Sequence, residues 1–179
     1  MSSLSPETRG RRWPKIIAWT VAGVLVLNLA LATVPVAVTL SRDDRNKEMT
    51  LVARFGYYLD PTTLTLDLWD ASGASTADLT RALFQIAASR EAWPPVRHVT
   101  LSRRGTPMFI LSGDDFKDLG KDFDAGENPV YLMRTLPQRL QRPSGGPAFA
   151  TWRGGVIGVL GEQMDDLNSF GHKWALGSD

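Results

Sequence analysis

The chain has 179 residues, no cysteine and a formal net charge of +1 at pH 7. A sequence without thiols excludes disulfide bonds, thiolate metal sites and cysteine nucleophiles. Positive charge is concentrated in the first 15 residues rather than in the rest of the chain. We therefore expect no nucleic-acid partner, because such a partner usually requires a basic patch on the folded domain.

Residues 16–40 form one long apolar run without a charge, IIAWTVAGVLVLNLALATVPVAVTL. A membrane-spanning helix needs about 20 apolar residues, which this run exceeds. Trp13 and Trp19 lie near its basic end, where aromatic side chains mark the membrane interface. Asn28 is the one strongly polar side chain in the middle of the run, and we expect it to face a partner helix. The sequence therefore predicts a transmembrane helix over residues 16–40, in contact with the lipid bilayer.

The charges on the two sides of this run predict how the helix is oriented. The basic residues of the tail, 1–15, are opposed by Glu7 alone, whereas acidic and basic residues balance in SRDDRNKE at 41–48. Unopposed basic segments favour the cytoplasmic side of a membrane. We therefore expect a cytoplasmic tail at 1–15, an inner (cytoplasmic) membrane location, and a periplasmic or otherwise extracytoplasmic domain.

The same run also permits a second interpretation, as a cleaved signal sequence. Ala30-Leu31-Ala32 has the small-x-small pattern of a signal-peptidase site, with Ile16 to Leu27 as the apolar region before it. Such regions are usually only about 7–15 residues long. Cleavage would also leave TVPVAVTL as an apolar new N-terminus, so the sequence favours retention of the helix.

Between the membrane run and the domain, residues 41–61 are predicted to form a juxtamembrane linker. Five apolar residues in it recur at helical spacing, and they predict a short helix that ends at Asp60-Pro61: Leu51, Val52, Phe55, Tyr58 and Leu59.

The remaining residues, 62–179, are predicted to form one domain. Strict alternation over 62–69 predicts a strand, and Ser75 followed by Asp78 predicts a capping box at the start of a helix reaching about Arg90. A hairpin is predicted over 97–111.

Three later segments complete the domain. Phe116, Leu119 and Phe123 predict a helix over the acidic stretch that follows the hairpin. Residues 129–136 fit either a helix, opened by Asn128-Pro129, or a strand. A last apolar stripe predicts a C-terminal helix: Leu160, Met164, Leu167, Gly171 and Trp174. The predicted fold is α+β: one N-terminal transmembrane helix, then a small β-α-β-β domain with additional C-terminal helices.

No motif for catalysis, a cofactor or a metal ion stands out. GGVIGVLG at 154–161 has neither phosphate-loop spacing, and DFDAGE at 122–127 departs from a calcium loop at its third and twelfth positions. His98 and His172 are far apart and have no third obvious ligand. We therefore expect a protein that is not an enzyme and holds no cofactor, although a carboxylate pair brought together by folding stays an alternative.

Charge is segregated along the second half of the domain. Residues 113–127 are mainly acidic, whereas 128–161 contain arginines and no acid. The two blocks either neutralise each other within the fold or leave the basic block as a docking surface. The candidate docking residues are Arg134, Arg139, Arg142, Trp152 and Arg153.

These observations predict a non-catalytic accessory subunit of a larger membrane protein complex. It would be anchored by one helix and docked outside the cytoplasm on other integral membrane proteins. The alternatives are a freestanding membrane-tethered binding or sensing domain, or a secreted binding domain if the chain is cleaved after Ala32.

Overall fold

The computed structural model describes residues 13–56, 60–89, 95–152 and 156–177, with the side chains of 156–158 left out. Its helices are α1 (Trp13–Ser41), α2 (Thr76–Ala88), α3 (Gly113–Asp124), α4 (Pro129–Thr135) and α5 (Val156–Leu176). Its strands are β1 (Thr50–Gly56), β2 (Asp60–Asp70), β3 (His98–Arg103), β4 (Thr106–Ser112) and β5 (Leu140–Gln141). Short 3-10 helices cover Asp44–Glu48 and Leu136–Arg139.

The five strands form one mixed sheet in the order β1-β2-β3-β4-β5. β2 and β3 are parallel, since helix α2 returns the chain between them, and the other neighbouring pairs are antiparallel. The α+β fold and the β-α-β-β core predicted from the sequence are confirmed in β2, α2, β3 and β4.

The core lies on one face of this sheet. Leu64, Leu66 and Leu68 of β2 are fully buried, as the alternation predicted, and Thr65 and Asp67 lie on the opposite face. Helices α2, α3 and α5 supply the facing apolar side chains, including Phe84, Phe116 and Trp174. Trp174 also donates its indole N–H to the Ser102 carbonyl at 3.0 Å, which fixes α5 to β3.

Local signals in the sequence predicted several of these elements. The Ser75 hydroxyl and the Asp78 carboxylate form a reciprocal capping box at the start of α2. Asn128 caps α4, whose first residue is Pro129. In the β3–β4 hairpin, Arg104 and Gly105 have φ of 48° and 84°, as a type I′ turn requires.

The juxtamembrane helix predicted over 51–59 is wrong. Thr50–Gly56 is strand β1, in which Leu51, Ala53 and Phe55 alternate toward the core. The apolar spacing of this segment suits both structures, and pairing with β2 selects the strand. Tyr58 and Leu59 lie outside the described residues, as do Arg90, Trp93 and Pro94 after α2.

In the second half of the domain, the structure resolves one alternative that the sequence left open and corrects the predicted stripe of α5. Residues 129–135, for which the sequence left two possibilities, are helix α4, and Pro137 opens a 3-10 turn. In α5 the buried stripe is shifted from the predicted one: Leu160 and Met164 are exposed, and the buried positions are Gln163, Leu167, Phe170, Gly171 and Trp174. Helix α5 contacts α2, α4 and the sheet.

Helices α2 and α3 cross at a glycine. A Cβ atom added to Gly120 would overlap the carbonyl oxygen of Ala87. Gly120, which weakens α3 as an isolated helix, therefore allows the two backbones to approach closely.

We predict that Gly120→Ala lowers the free energy of unfolding, because overpacking costs about 1–3 kcal/mol against a gain of about 1 kcal/mol in helix propensity. Urea unfolding of the detergent-solubilised full-length chain, followed by tryptophan fluorescence, measures the change. The matched control is Gly161→Ala in α5, where an added Cβ meets nothing within 4 Å. Equal stability of the two variants would contradict the close crossing.

Candidate functional site

Helix α1 is long and apolar enough to cross a bilayer, and its most apolar 18-residue window has a mean hydropathy of 2.3. A signal sequence near an N-terminus has the same properties. Residues 13–27 are exposed throughout, including Trp13 and Trp19 at the basic end, which are 68% and 78% exposed. The helix continues through Pro35 to Ser41.

The second half of α1 belongs to the fold of the domain. Asn28, Ala32, Val36 and Leu40 are buried, and their spacing of four residues places them on one side of the helix. That side packs against β1 and α2. We call this contact, formed by the four residues of α1 with Ala53 and Phe55 of β1, the α1–β1 seam.

Two hydrogen bonds connect α1 to the backbone of β1 at the seam. Asn28 Oδ1 accepts the Phe55 N–H at 3.1 Å, and Thr33 Oγ1 donates to the Ala53 carbonyl at 2.7 Å. β1 is the first strand of the sheet, and the free side of such a strand carries unpaired peptide groups. Helix α1 therefore closes this edge. Asn28, which we expected to face a partner helix, instead bonds to the chain's own sheet.

A polar network fixes the end of α1 to α2. The Asp43 carboxylate accepts the Gln85 side-chain N–H at 3.0 Å and lies 3.3 Å from Arg81 Nε. Asn46 donates to Gln85 Oε1 at 2.8 Å and to the Leu40 carbonyl at 3.1 Å. These contacts fix the direction in which the chain leaves the helix. The domain is therefore attached to α1 at two places, the α1–β1 seam and the junction after the end of the helix.

Asp43 is ionised within this network. The Arg45 backbone N–H and the Gln85 side chain lower the pKa of the Asp43 carboxyl below its usual value of 3.8, and the charge of Arg81 adds to the effect. Because the pKa is lower in the folded chain, Asp43 stabilises the fold above a pH of about 4, and that contribution is lost as the pH falls through the folded-state pKa.

The candidate docking residues are only partly brought together. Arg134 donates to Gln163 Oε1 at 2.7 Å and Trp152 to Asp166 Oδ2 at 2.6 Å, so both lie beside α5. Arg139 lies 3.9 Å from Asp122, which is the neutralisation between charge blocks that the sequence left open. Arg142 is exposed on the turn after β5. Arg153 lies outside the described residues.

The histidines, the acidic segment and the glycine-rich segment, which were considered as possible sites from the sequence, are spread over β3, α3 and α5. His98 is exposed at the start of β3 and His172 is exposed on α5. Within the described ranges, no group of three His, Cys, Asp or Glu side chains could hold a metal ion. Asp122 and Asp124 belong to the last turn of α3. Residues 156–161 open α5, while 154 and 155 lie outside the described residues.

Sequence reasoning missed most of the polar residues that join the helix to the domain. Asn28 is recognisable in the sequence as a polar residue in an apolar run. In the structure it is buried and accepts the Phe55 N–H, which explains a polar residue at this position. Thr33, Asp43, Asn46 and Gln85 carry no such signal, because a lone threonine in a helix and polar residues near a helix end are common.

We predict that Asn28→Leu lowers the free energy of unfolding of the domain by about 1–3 kcal/mol, because it removes the side-chain oxygen that accepts the Phe55 N–H. Thr33→Val should have a smaller effect of the same sign. The matched control is Thr20→Val, since the exposed Thr20 hydroxyl bonds, among the residues that the structure describes, only to the Ile16 carbonyl of its own helix. Urea unfolding compares the three, and a Thr33→Val variant as stable as Thr20→Val would contradict a role for the seam hydrogen bonds.

We predict that Asp43→Asn destabilises the domain at pH 7 and makes its stability less sensitive to acidification below a pH of about 4. Unfolding midpoints measured from pH 7 to pH 3 test this. Asp44→Asn is the neighbouring control, because Asp44 is 88% exposed and pairs only with Lys47, at 2.8 Å, in the described part of the chain. If both variants keep the acid sensitivity of the native chain, Asp43 does not stabilise the junction.

The site described by these contacts is an apolar helix that is exposed in its first half and incorporated into a folded domain in its second half. Its polar contacts position the helix against the domain. Comparison with known proteins found no family model, no curated protein and no solved structure that matches this chain.

Proposed function

We propose that this chain is a non-catalytic single-pass membrane protein that retains α1 as its anchor and docks its α+β domain, as an accessory subunit, on a larger membrane complex. The observation that carries the proposal is the α1–β1 seam. A helix that completes the sheet of the domain is part of the mature fold, whereas a signal sequence is removed before that fold is used.

The cost of cleavage supports retention of the helix. Cleavage after Ala32 would remove Asn28 and Ala32 from the seam, and with Asn28 the hydrogen bond to the Phe55 N–H. It would also uncover apolar surface, since Ala53 and Phe55 are at most 5% exposed. A strand edge that exposes both peptide groups and apolar side chains promotes aggregation.

Charge near α1 supports the orientation that we propose. Lys15 and the arginines that precede it in the sequence follow the positive-inside rule. The domain then lies outside the cytoplasm.

A second surface supports docking on a protein partner. Val130 and Tyr131 of α4 and Leu160 and Met164 of α5 are exposed, and the Arg134–Gln163 hydrogen bond joins these two helices. The Arg134 guanidinium lies 5.2 Å from the centre of the Tyr131 ring. We call this the α4–α5 surface. Aromatic, methionine and arginine side chains together are typical of protein interfaces.

A freestanding binding or sensing domain is the second candidate. A recess of about 450 Å³ between the start of α2 and the end of α5 favours it, with Ser75, Thr76, Asn168 and His172 among its lining residues. This candidate predicts a small ligand and no stoichiometric protein partner.

We expect the C-terminally tagged protein to stay in the membrane fraction after alkaline carbonate extraction and to have the intact mass of the uncleaved chain. The reason is that a retained apolar helix of this length resists extraction. Gentle solubilisation should then yield the protein together with a stoichiometric membrane partner.

Ala30→Leu is the control, because it removes a small residue of the cleavage pattern at an exposed position. Retention predicts the same N-terminus for both proteins. A soluble product beginning at Thr33, converted to full-length chain by Ala30→Leu, would refute the anchor. A free monomer after gentle solubilisation would refute the accessory role and favour the second candidate.

A further inference from the structure

We infer that the α1–β1 seam is seated at the outer boundary of the bilayer, with lipid acyl chains covering the outer face of α1 as far as Val34. This inference rests on the proposed anchor and adds the depth at which the domain sits. The domain would contact the membrane directly, without a linker between it and the lipid.

The length of the free part of α1 is the first argument. Residues 13–27 precede the seam and rise only about 22 Å at 1.5 Å per residue. The hydrocarbon core of a bilayer is about 30 Å thick, and a tilted helix needs more residues to cross it. The free part is therefore too short to span alone, and some residues that contact the domain must also lie within the bilayer.

The surface of the second half of α1 is the second argument. Leu31, Val34 and Val38 are 57%, 55% and 47% exposed. Their positions place them on the side of the helix opposite the buried stripe, since successive residues turn by about 100°. Bulky apolar side chains therefore extend along this outer face past the start of the seam, and the first charged residue after them is Arg42. A surface of this composition and length matches acyl chains.

The seam hydrogen bonds are the third argument. A sheet edge that approaches acyl chains must have its peptide groups bonded within the protein. Asn28 and Thr33 provide such bonds to Phe55 and Ala53 without water. Asn28 and Thr33 thus occupy positions at which an edge strand in water would be hydrated.

Charged groups limit how deep the domain can sit. Asp60 pairs with Gly56, and Arg97 donates its backbone N–H to the Thr62 carbonyl, at the end of the sheet where Phe55 meets Asn28. Charged side chains are costly in acyl chains but acceptable among headgroups. This end of the domain therefore lies at headgroup level, and the bilayer is thinned only on the domain side of α1. On the opposite, outer face of the helix, acyl chains still reach Val34.

Site-directed spin labelling of the full-length chain in liposomes tests the seating, because the sequence has no cysteine and each variant carries a single thiol. Labels at Leu31→Cys and Val34→Cys report on the outer face. Val21→Cys lies in the free half of α1, and Thr106→Cys lies in the exposed β3–β4 hairpin at the other end of the sheet. Power saturation measures the accessibility of each label to oxygen and to a water-soluble nickel complex.

We expect Leu31→Cys and Val34→Cys to resemble Val21→Cys, with access to oxygen and loss of access to the nickel complex relative to Thr106→Cys. Access to the nickel complex at Leu31 and Val34, with Val21 still in lipid, would overturn the seating and leave the anchor intact. Loss of access to both reagents would overturn it in favour of a protein covering the outer face. Access of the nickel complex to Val21→Cys would overturn the anchor itself.

Discussion

The free edge of β1 presents peptide groups that must be hydrogen-bonded, and helix α1 supplies the partners. Asn28 accepts from Phe55 and Thr33 donates to Ala53. The sheet is therefore complete only when the helix is present. An edge left open invites pairing with other chains, so one contact both closes the fold and determines where the domain sits relative to the helix. Helix α1 and the domain are consequently parts of a single folding unit.

A second contact between α1 and the domain fixes the orientation of the helix relative to the domain. Asp43, Gln85 and Arg81 hold the chain where it leaves α1. This contact lies just after the C-terminal end of the helix, whereas Asn28 lies near its middle. Two separated contacts between a helix and a domain resist rotation of one against the other, whereas a single flexible linker would not. The strands and helices of the domain are thereby held in a fixed orientation relative to helix α1.

The local sequence predicted the elements whose signals are local. The apolar run predicted α1, alternation predicted β2, and Ser75 with Asp78 predicted the start of α2, because each signal depends on neighbours within one or two turns. The same reasoning failed at residues 51–55. There the apolar spacing fits a helix and a strand equally well, and pairing with β2, together with the cover provided by α1, decides between them.

By itself, the sequence determined that the protein has a long apolar helix, a β-α-β-β core and a polar residue at position 28 that needs a partner. Only the tertiary structure decided what that partner is, that Arg139 pairs with Asp122, and that α5 buries Gln163 and Phe170 rather than Leu160 and Met164. The physical reason is that hydrogen bonds and packing between distant segments depend on which surfaces the whole chain brings together. Asn28 and Phe55 are separated by 27 positions, and no local pattern records their meeting.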